Sequence, residues 1–278
     1  MLKRTTRPQT DVPRLAGALL AVALSCVAAH AAPAVREVPN GNAVAFDQLS
    51  VSGNACGPAA LLNAFRFGDK SWQQGVSVID GDSDKTRLLT TIRTWGLQPS
   101  TSLPGRRRWS RNGVNADDLC DMANEIGRLK FLPRLSREVF MAQPAESQPQ
   151  LLRRAHSRLS TSLAKGLPPV ISIRRIVQRK VPGKPPEWIV LQGHFVTVTR
   201  LPAKLDRDAD SFEVGYIDPW GGRPATGRIA QSKRAFVIAP EAPSPCLEAD
   251  FPSADVGKKH VSKGETSILT LAAGIGKW

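Results

Sequence analysis

Several residue types are scarce in this chain, and each scarcity narrows the field. Among 278 residues there are one tyrosine, three methionines, four histidines and four cysteines, and aromatics make up only 6%. No two cysteines have the C-x-x-C spacing of a zinc or dithiol motif, so neither a structural zinc site nor a redox pair is expected. No metal and no cofactor are expected at all. No internal repeat is visible, which sets aside solenoids and propellers. Acidic residues are the minority, 24 against 38 Lys+Arg, giving a formal net charge of +14. That excess fits nucleic acid, an anionic envelope surface or simply a basic exterior, and charge alone does not choose among them. Hydrophobic residues at 41% and charged residues at 22% describe a globular chain with a packed core, and argue against a multi-span membrane protein.

The long apolar stretch lies at the N-terminus. Lys3, Arg4, Arg7 and Arg14 precede a run from Leu15 to Ala29 that is rich in alanine and leucine and ends at Ala29-His30-Ala31. A basic segment, an apolar segment and a small-x-small site have the form of a secretory signal peptide. Residues 1–31 are therefore expected to be removed, leaving a secreted or periplasmic protein that is still basic. An uncleaved anchor is the alternative, although the run is short for a membrane span. Loss of Cys26 with the leader leaves Cys56, Cys120 and Cys246. In an oxidising compartment that odd count suggests one pair and one thiol kept for chemistry.

Residues 32–45 read as an extended lead-in, residues 46–241 as the folded domain and residues 242–278 as a C-terminal tail. Helices are expected from Pro58 to Gly68, from Ser83 to Gly96, from Asn115 to Leu129 and from Pro149 to Lys165, each with a capping residue or proline at its start or a glycine near its end. After Pro169 the period changes. Val170-Ile-Ser-Ile, Trp188-Ile-Val-Leu, Phe195-Val-Thr-Val, Phe212-Glu-Val-Gly and Arg234-Ala-Phe-Val are β-branched and aromatic runs between turn residues. Helices followed by strands predict an α+β fold with an antiparallel sheet.

Cys56 stands where a loop, Gly53-Asn-Ala, turns into a helix beginning Gly57-Pro58. A helix N-terminus stabilises a thiolate through its open N–H groups and dipole, which is what a nucleophile needs. The plainer alternative is a structural cysteine, or one bonded to Cys120 or Cys246. A nucleophilic thiol needs a base and a group to orient it. His30 lies in the leader, His156 in a helix and His260 in the tail, whereas His194 opens a strand after Gly193. Asp218 ends the next strand, before Pro219-Trp220. An Asp-Pro turn is its ordinary role.

The order of Cys on a helix, His opening a strand and Asp closing the next resembles the papain-like cysteine peptidase superfamily. More narrowly, Cys56-Gly-Pro-Ala, Gly193-His-Phe-Val and Asp218-Pro-Trp-Gly are similar to the bacteriocin-leader-processing (double-glycine) peptidases, and the likeness spans roughly residues 46–240. The resemblance implies a nucleophile helix packed on an antiparallel sheet, with Cys56 attacking a carbonyl, His194 moving the proton and Asp218 orienting His194. It also implies a glutamine in the oxyanion hole. Gln48 is the nearest, two positions further upstream than usual, and Asn54 is a substitute donor. Members of that family are commonly fused to membrane transporters; this chain carries an export signal instead, so its substrate is expected to be a peptide or protein other than a bacteriocin leader.

The expected function is that of a monomeric exported thiol hydrolase, a cysteine peptidase working through a thioester. Amidase or transglutaminase-like acyl transfer, and a catalytically silent peptide-binding domain, are the alternatives. The Arg106–Arg108 run beside Trp109 lies in no nucleic-acid motif, so no nucleic-acid partner is expected. Association with an anionic envelope surface is kept as a partner expectation. Cys120 and Cys246 are left as a disulfide candidate tying the tail to the helical half.

Overall fold

A computed structural model describes residues 34–179, 183, 187–234 and 245–278. The expected leader lies outside the described residues, as do residues 235–238 of the expected strand beginning at Arg234.

The first half supplies helices. α1 (Cys56–Phe67) starts at the cysteine itself and is followed by α2 (Lys70–Ser77), α3 (Asp84–Thr91), α4 (Ala116–Arg128) and α5 (Gln148–Ala164). α3 is capped as the sequence suggests, by a box of Ser83 and Thr86; on α4 Asn115 Oδ1 accepts from Asp118 N at 2.8 Å, and α5 starts before the expected Pro149, where Ser147 pairs with Gln150. α2 is an addition to the expected set. Asp69 caps it by accepting from Ser71 N and Trp72 N, but Gly75 at its centre weakens the local helix signal. That glycine is needed, because a Cβ there would stand 2.9 Å from the Phe65 ring of α1.

The second half supplies a closed antiparallel barrel. Its six strands are β5 (Val170–Arg179), β6 (Glu187–Pro202), β7 (Ser211–Asp218), β8 (Arg223–Ala230), β9 (Leu247–Asp250) and β10 (Thr266–Gly276), joined in the order β6-β5-β10-β9-β8-β7 and closed by β6–β7 pairing. β1 (Val35–Glu37) extends the sheet along β6, and β4 (Ser136–Val139) along β10. A separate two-stranded ribbon, β2 (Trp109–Ser110) with β3 (Gly113–Val114), sits beside the start of α4.

Three features differ from the sequence-based expectation. Trp188 and Phe195 belong to one strand: β6 runs through Gln192-Gly193 because β5 pairs with it along that stretch, with an irregularity at Arg175/Ile176. β8 contains Pro224 and Gly227, which mask its strand character. The segment read as a tail is structural: β9 and β10 are barrel strands, and β10 pairs with β5 over nearly its whole length. Phe251, Ala254 and Val256 join the barrel interior with Tyr216, Val214 and Ile173. Without that segment the barrel would have a gap between β5 and β8.

Two apolar layers result. One, between the helices and the outer face of the barrel, gathers Leu61, Leu62, Phe65, Leu119, Met122, Val170 and Phe195. The other fills the barrel and the space under α5, with Leu151, Leu159, Ile171, Val196, Val198 and Tyr216. α1 is pinned to β6 by Thr197 Oγ1 donating to Ala60 O at 2.8 Å. Among the described residues no helix is long and apolar enough to cross a membrane.

Candidate active site

The site lies where the barrel seam opens. β6 and β7 pair at Arg200↔Gly215, Val198↔Tyr216 and Thr197↔Ile217, and toward His194 the ladder stops at the last of these. Beyond it each strand stays tied to its other neighbour, β6 to β5 at Ile173↔His194 and β7 to β8 at Asp218↔Arg223. His194 and Asp218 therefore face one another across a gap whose two walls are fixed. His194 Nε2 and Asp218 Oδ1 are 2.8 Å apart, both nearly buried. The same carboxylate oxygen accepts from Trp220 N at 2.9 Å, which holds it in plane for the imidazole.

With Nε2 engaged by Asp218, Nδ1 is the ring nitrogen left for the thiol. Cys56 is in hydrogen-bond contact with His194, and the backbone N–H groups of Phe195 and Gly57 also point to its sulfur. Burial would raise the Cys56 pKa, but the hydrogen bond and positive charge of His194, with those two N–H groups, outweigh it and bring the thiol below its usual value. For His194 burial alone would lower the pKa; the bonds to Asp218 and Cys56 reverse that and raise it. Both shifts run toward a thiolate–imidazolium pair. Ala55 gives α1 no side-chain cap, so the thiolate takes the place of a capping oxygen. Gly57 permits the close approach, since a Cβ there would run into Val114 Cγ1 of β3.

The two oxyanion candidates fare differently. Gln48 is fully buried; its Nε2 donates to Gly53 O at 2.6 Å, and its Oε1 has no partner among the described residues. The amide thus lies against the loop leading into Cys56. Asn54 is committed elsewhere: its Nδ2 donates to Arg111 O at 2.5 Å, its Oδ1 accepts from Ser52, and its carbonyl accepts from Trp109 Nε1 at 3.1 Å. Its amide holds the β2–β3 turn and is not the spare donor expected of it.

Two further residues, Asp47 and Trp220, contribute to the site without having been candidates in the sequence. Asp47 Oδ1 accepts from Gly221 N at 2.9 Å, and Gln48 N donates to Pro219 O at 2.8 Å; together they clamp the Asp218 turn to the Gln48 segment. The Trp220 ring lies over Gly53, 3.5 Å from where a Cβ would sit, in the loop that leads into Cys56. The Asp-Pro-Trp-Gly run hints at the second but not at the first.

The remaining candidates fall outside the site. Cys120 is buried on α4, with Sγ 3.6 Å from Leu135 O, and it is not joined to Cys246. Cys246 packs near Ile176, Ile268 and Trp188, a different apolar cluster from the one holding Cys120, so the expected cross-link is not formed. His156 Nε2 lies 2.8 Å from Pro202 O on the far side of the fold. Arg108, in the basic run, makes a two-point ion pair with Glu125 at 2.7 and 2.9 Å. No group of three or more His, Cys, Asp or Glu among the described residues is placed to hold a metal. Compared with models of protein families, with curated proteins and with solved structures, the chain matches none of them. What the site can do is set by its own geometry.

Proposed function

We propose that the protein is an exported papain-like thiol hydrolase, a cysteine peptidase acting through Cys56, His194 and Asp218. The observation that carries this reading is the convergence of three residues from distant parts of the chain into one ordered relay, thiol to imidazole to carboxylate, at a helix N-terminus. In the proposed reaction the Cys56 thiolate attacks a peptide carbonyl. His194 gives its proton to the leaving amine, and a thioester remains on Cys56. Water, deprotonated by His194, then releases the acid and restores the thiolate. The Cys56 N–H at the first turn of α1 and the Gln48 amide are the proposed oxyanion donors.

The substrate is proposed to be a peptide or protein with negative charge near the scissile bond. Arg174 is exposed, lies opposite Gly193 across the β5–β6 ladder and makes no ion pair among the described residues. It stands one residue from the strand position facing His194, where a cation would meet an acidic side chain of the substrate.

An epoxysuccinyl inhibitor tests the reading. Selective adduct formation on Cys56 near neutral pH, slowed in His194→Ala, is expected. A Cys56 that stays unmodified in folded, reduced protein would instead make this a peptide-binding domain without turnover. Amine release without acid formation would move the assignment to acyl transfer.

A further inference from the structure

α4 ends in a turn of unusual construction. Leu132 N donates to Gly127 O at 3.0 Å, six residues closing the helix, and Phe131 occupies the left-handed position between them with φ 54°. Glycine normally takes that place, because a Cβ there crowds the backbone. Here the position holds a phenylalanine whose side chain is 96% exposed, with Leu129 beside it 53% exposed. The ring therefore gains nothing from packing within the fold while the backbone carries the strain of placing it outward. Such local costs persist where they serve a contact with something else.

The surroundings indicate what that contact is. Arg128, Lys130 and Arg134 flank the ring, all exposed, and none makes an ion pair among the described residues. Of the nearby acids, Glu125 is paired with Arg108 and Asp117 with Arg137, while Asp121 accepts from Thr101 Oγ1 at 2.6 Å and keeps its charge, so three cations outweigh one unpaired carboxylate. An aromatic ring and a leucine projecting among three unpaired cations suit a surface that is apolar beneath and anionic at the level of its headgroups.

We propose that residues 128–134 form a shallow insertion site for an anionic lipid bilayer, with Phe131 and Leu129 entering the headgroup boundary and Arg128, Lys130 and Arg134 meeting lipid phosphates. The site is separate from the thiol and does not depend on the hydrolase reading.

The test uses the full chain with phosphatidylglycerol-containing vesicles and with pure phosphatidylcholine vesicles. Phe131→Gly is the informative variant, because it restores the residue the turn prefers while removing the ring. It is expected to raise the melting temperature by about 2 °C and yet to weaken binding to anionic vesicles several-fold. Lys130→Gln is expected to weaken it by about fivefold, the loss for one cation near an anionic surface. A local readout separates this turn from any other membrane-binding part of the chain. Phe131→Trp emission should be quenched by brominated acyl chains beyond the quenching of wild type, whose six tryptophans lie elsewhere. Absence of that added quenching, equal binding of Phe131→Gly and wild type, or equal binding to neutral vesicles would each overturn the proposal. Quenching lost while an acidic protein is still bound would make the partner a protein.

Discussion

His194 Nε2 and Asp218 Oδ1 stand 2.8 Å apart at the point where β6 and β7 cease to pair. The seam that would have consumed their backbone groups in a ladder leaves their side chains facing one another instead. Asp218→Asn keeps the shape but removes the charge, so the imidazolium loses its main support. The hydrolytic kcat is expected to fall by a factor on the order of 10² or more, with KM nearly unchanged. Steady-state kinetics on a peptide substrate check this.

The pH profile follows from the same pair. The thiolate is present once pH exceeds the lowered Cys56 pKa, and the proton needed by the leaving amine is present until pH passes the raised His194 value, about 9. The rate should therefore rise on the acid side below the ordinary thiol pKa and fall near 9. In Asp218→Asn the basic limb should move down, because the carboxylate that accepts from the imidazolium and raises its pKa is gone. A basic limb unchanged by that substitution would contradict the assignment of His194 as the group titrating there.

Thiol reactivity should distinguish two cysteines sharply. Cys120 is pushed up to about 11 by burial and by the charges of Asp121 and Asp117, whereas Cys56 is lowered. With limiting iodoacetamide at neutral pH, Cys56 is expected to be alkylated at least about tenfold faster than Cys120. Peptide mapping by mass spectrometry gives the ratio, and His194→Ala should reduce it.

The helices were legible from local signals: Pro58 and Gly68 bound one, Ser83 and Gly96 another, and Leu119, Met122 and Ile126 recur at helical spacing in a third. The site was legible for a related reason. Cys56 had to begin a helix, and His194 and Asp218 had to fall on consecutive strands, which the Asp218-Pro219 break marked. Barrel closure was not legible. β10 reads Thr266-Ser-Ile-Leu-Thr-Leu-Ala-Ala-Gly-Ile-Gly, and it shows little alternation because both of its faces are buried, Leu269 and Leu271 in one apolar cluster and Ala273 and Ile275 in the other. Asn54 looked like a donor at the right distance from Cys56 along the chain. Its amide is spent on Arg111, a partner 57 residues away that no local pattern reveals.

Gln48 and Asn54 should separate cleanly by mutation. Gln48→Ala is expected to lower kcat by a factor of about 10²–10³, as for loss of one oxyanion donor. Asn54→Ala should act mainly on stability, costing about 1 kcal/mol through its lost hydrogen bonds. Chemical denaturation beside kinetics for both variants resolves the two effects. The reverse pattern would make Asn54 the donor.

Truncation after residue 241 removes β9 and β10 together with Phe251, Ala254 and Val256 of the barrel interior. The shortened chain is expected to lose cooperative thermal unfolding, measured by circular dichroism. A folded truncated protein would mean that β5 and β8 can close the sheet without the C-terminal segment.

The central claim is that Cys56 forms a thioester in a peptide-cleaving reaction. A peptide-library digest, read by mass spectrometry of both products and intact protein, tests it most directly. Wild type should release peptide fragments and show a transient acyl adduct on Cys56, while Cys56→Ala should show neither and remain folded. Cleavage that persists in Cys56→Ala, or no cleavage and no adduct in folded, reduced wild type, would contradict it.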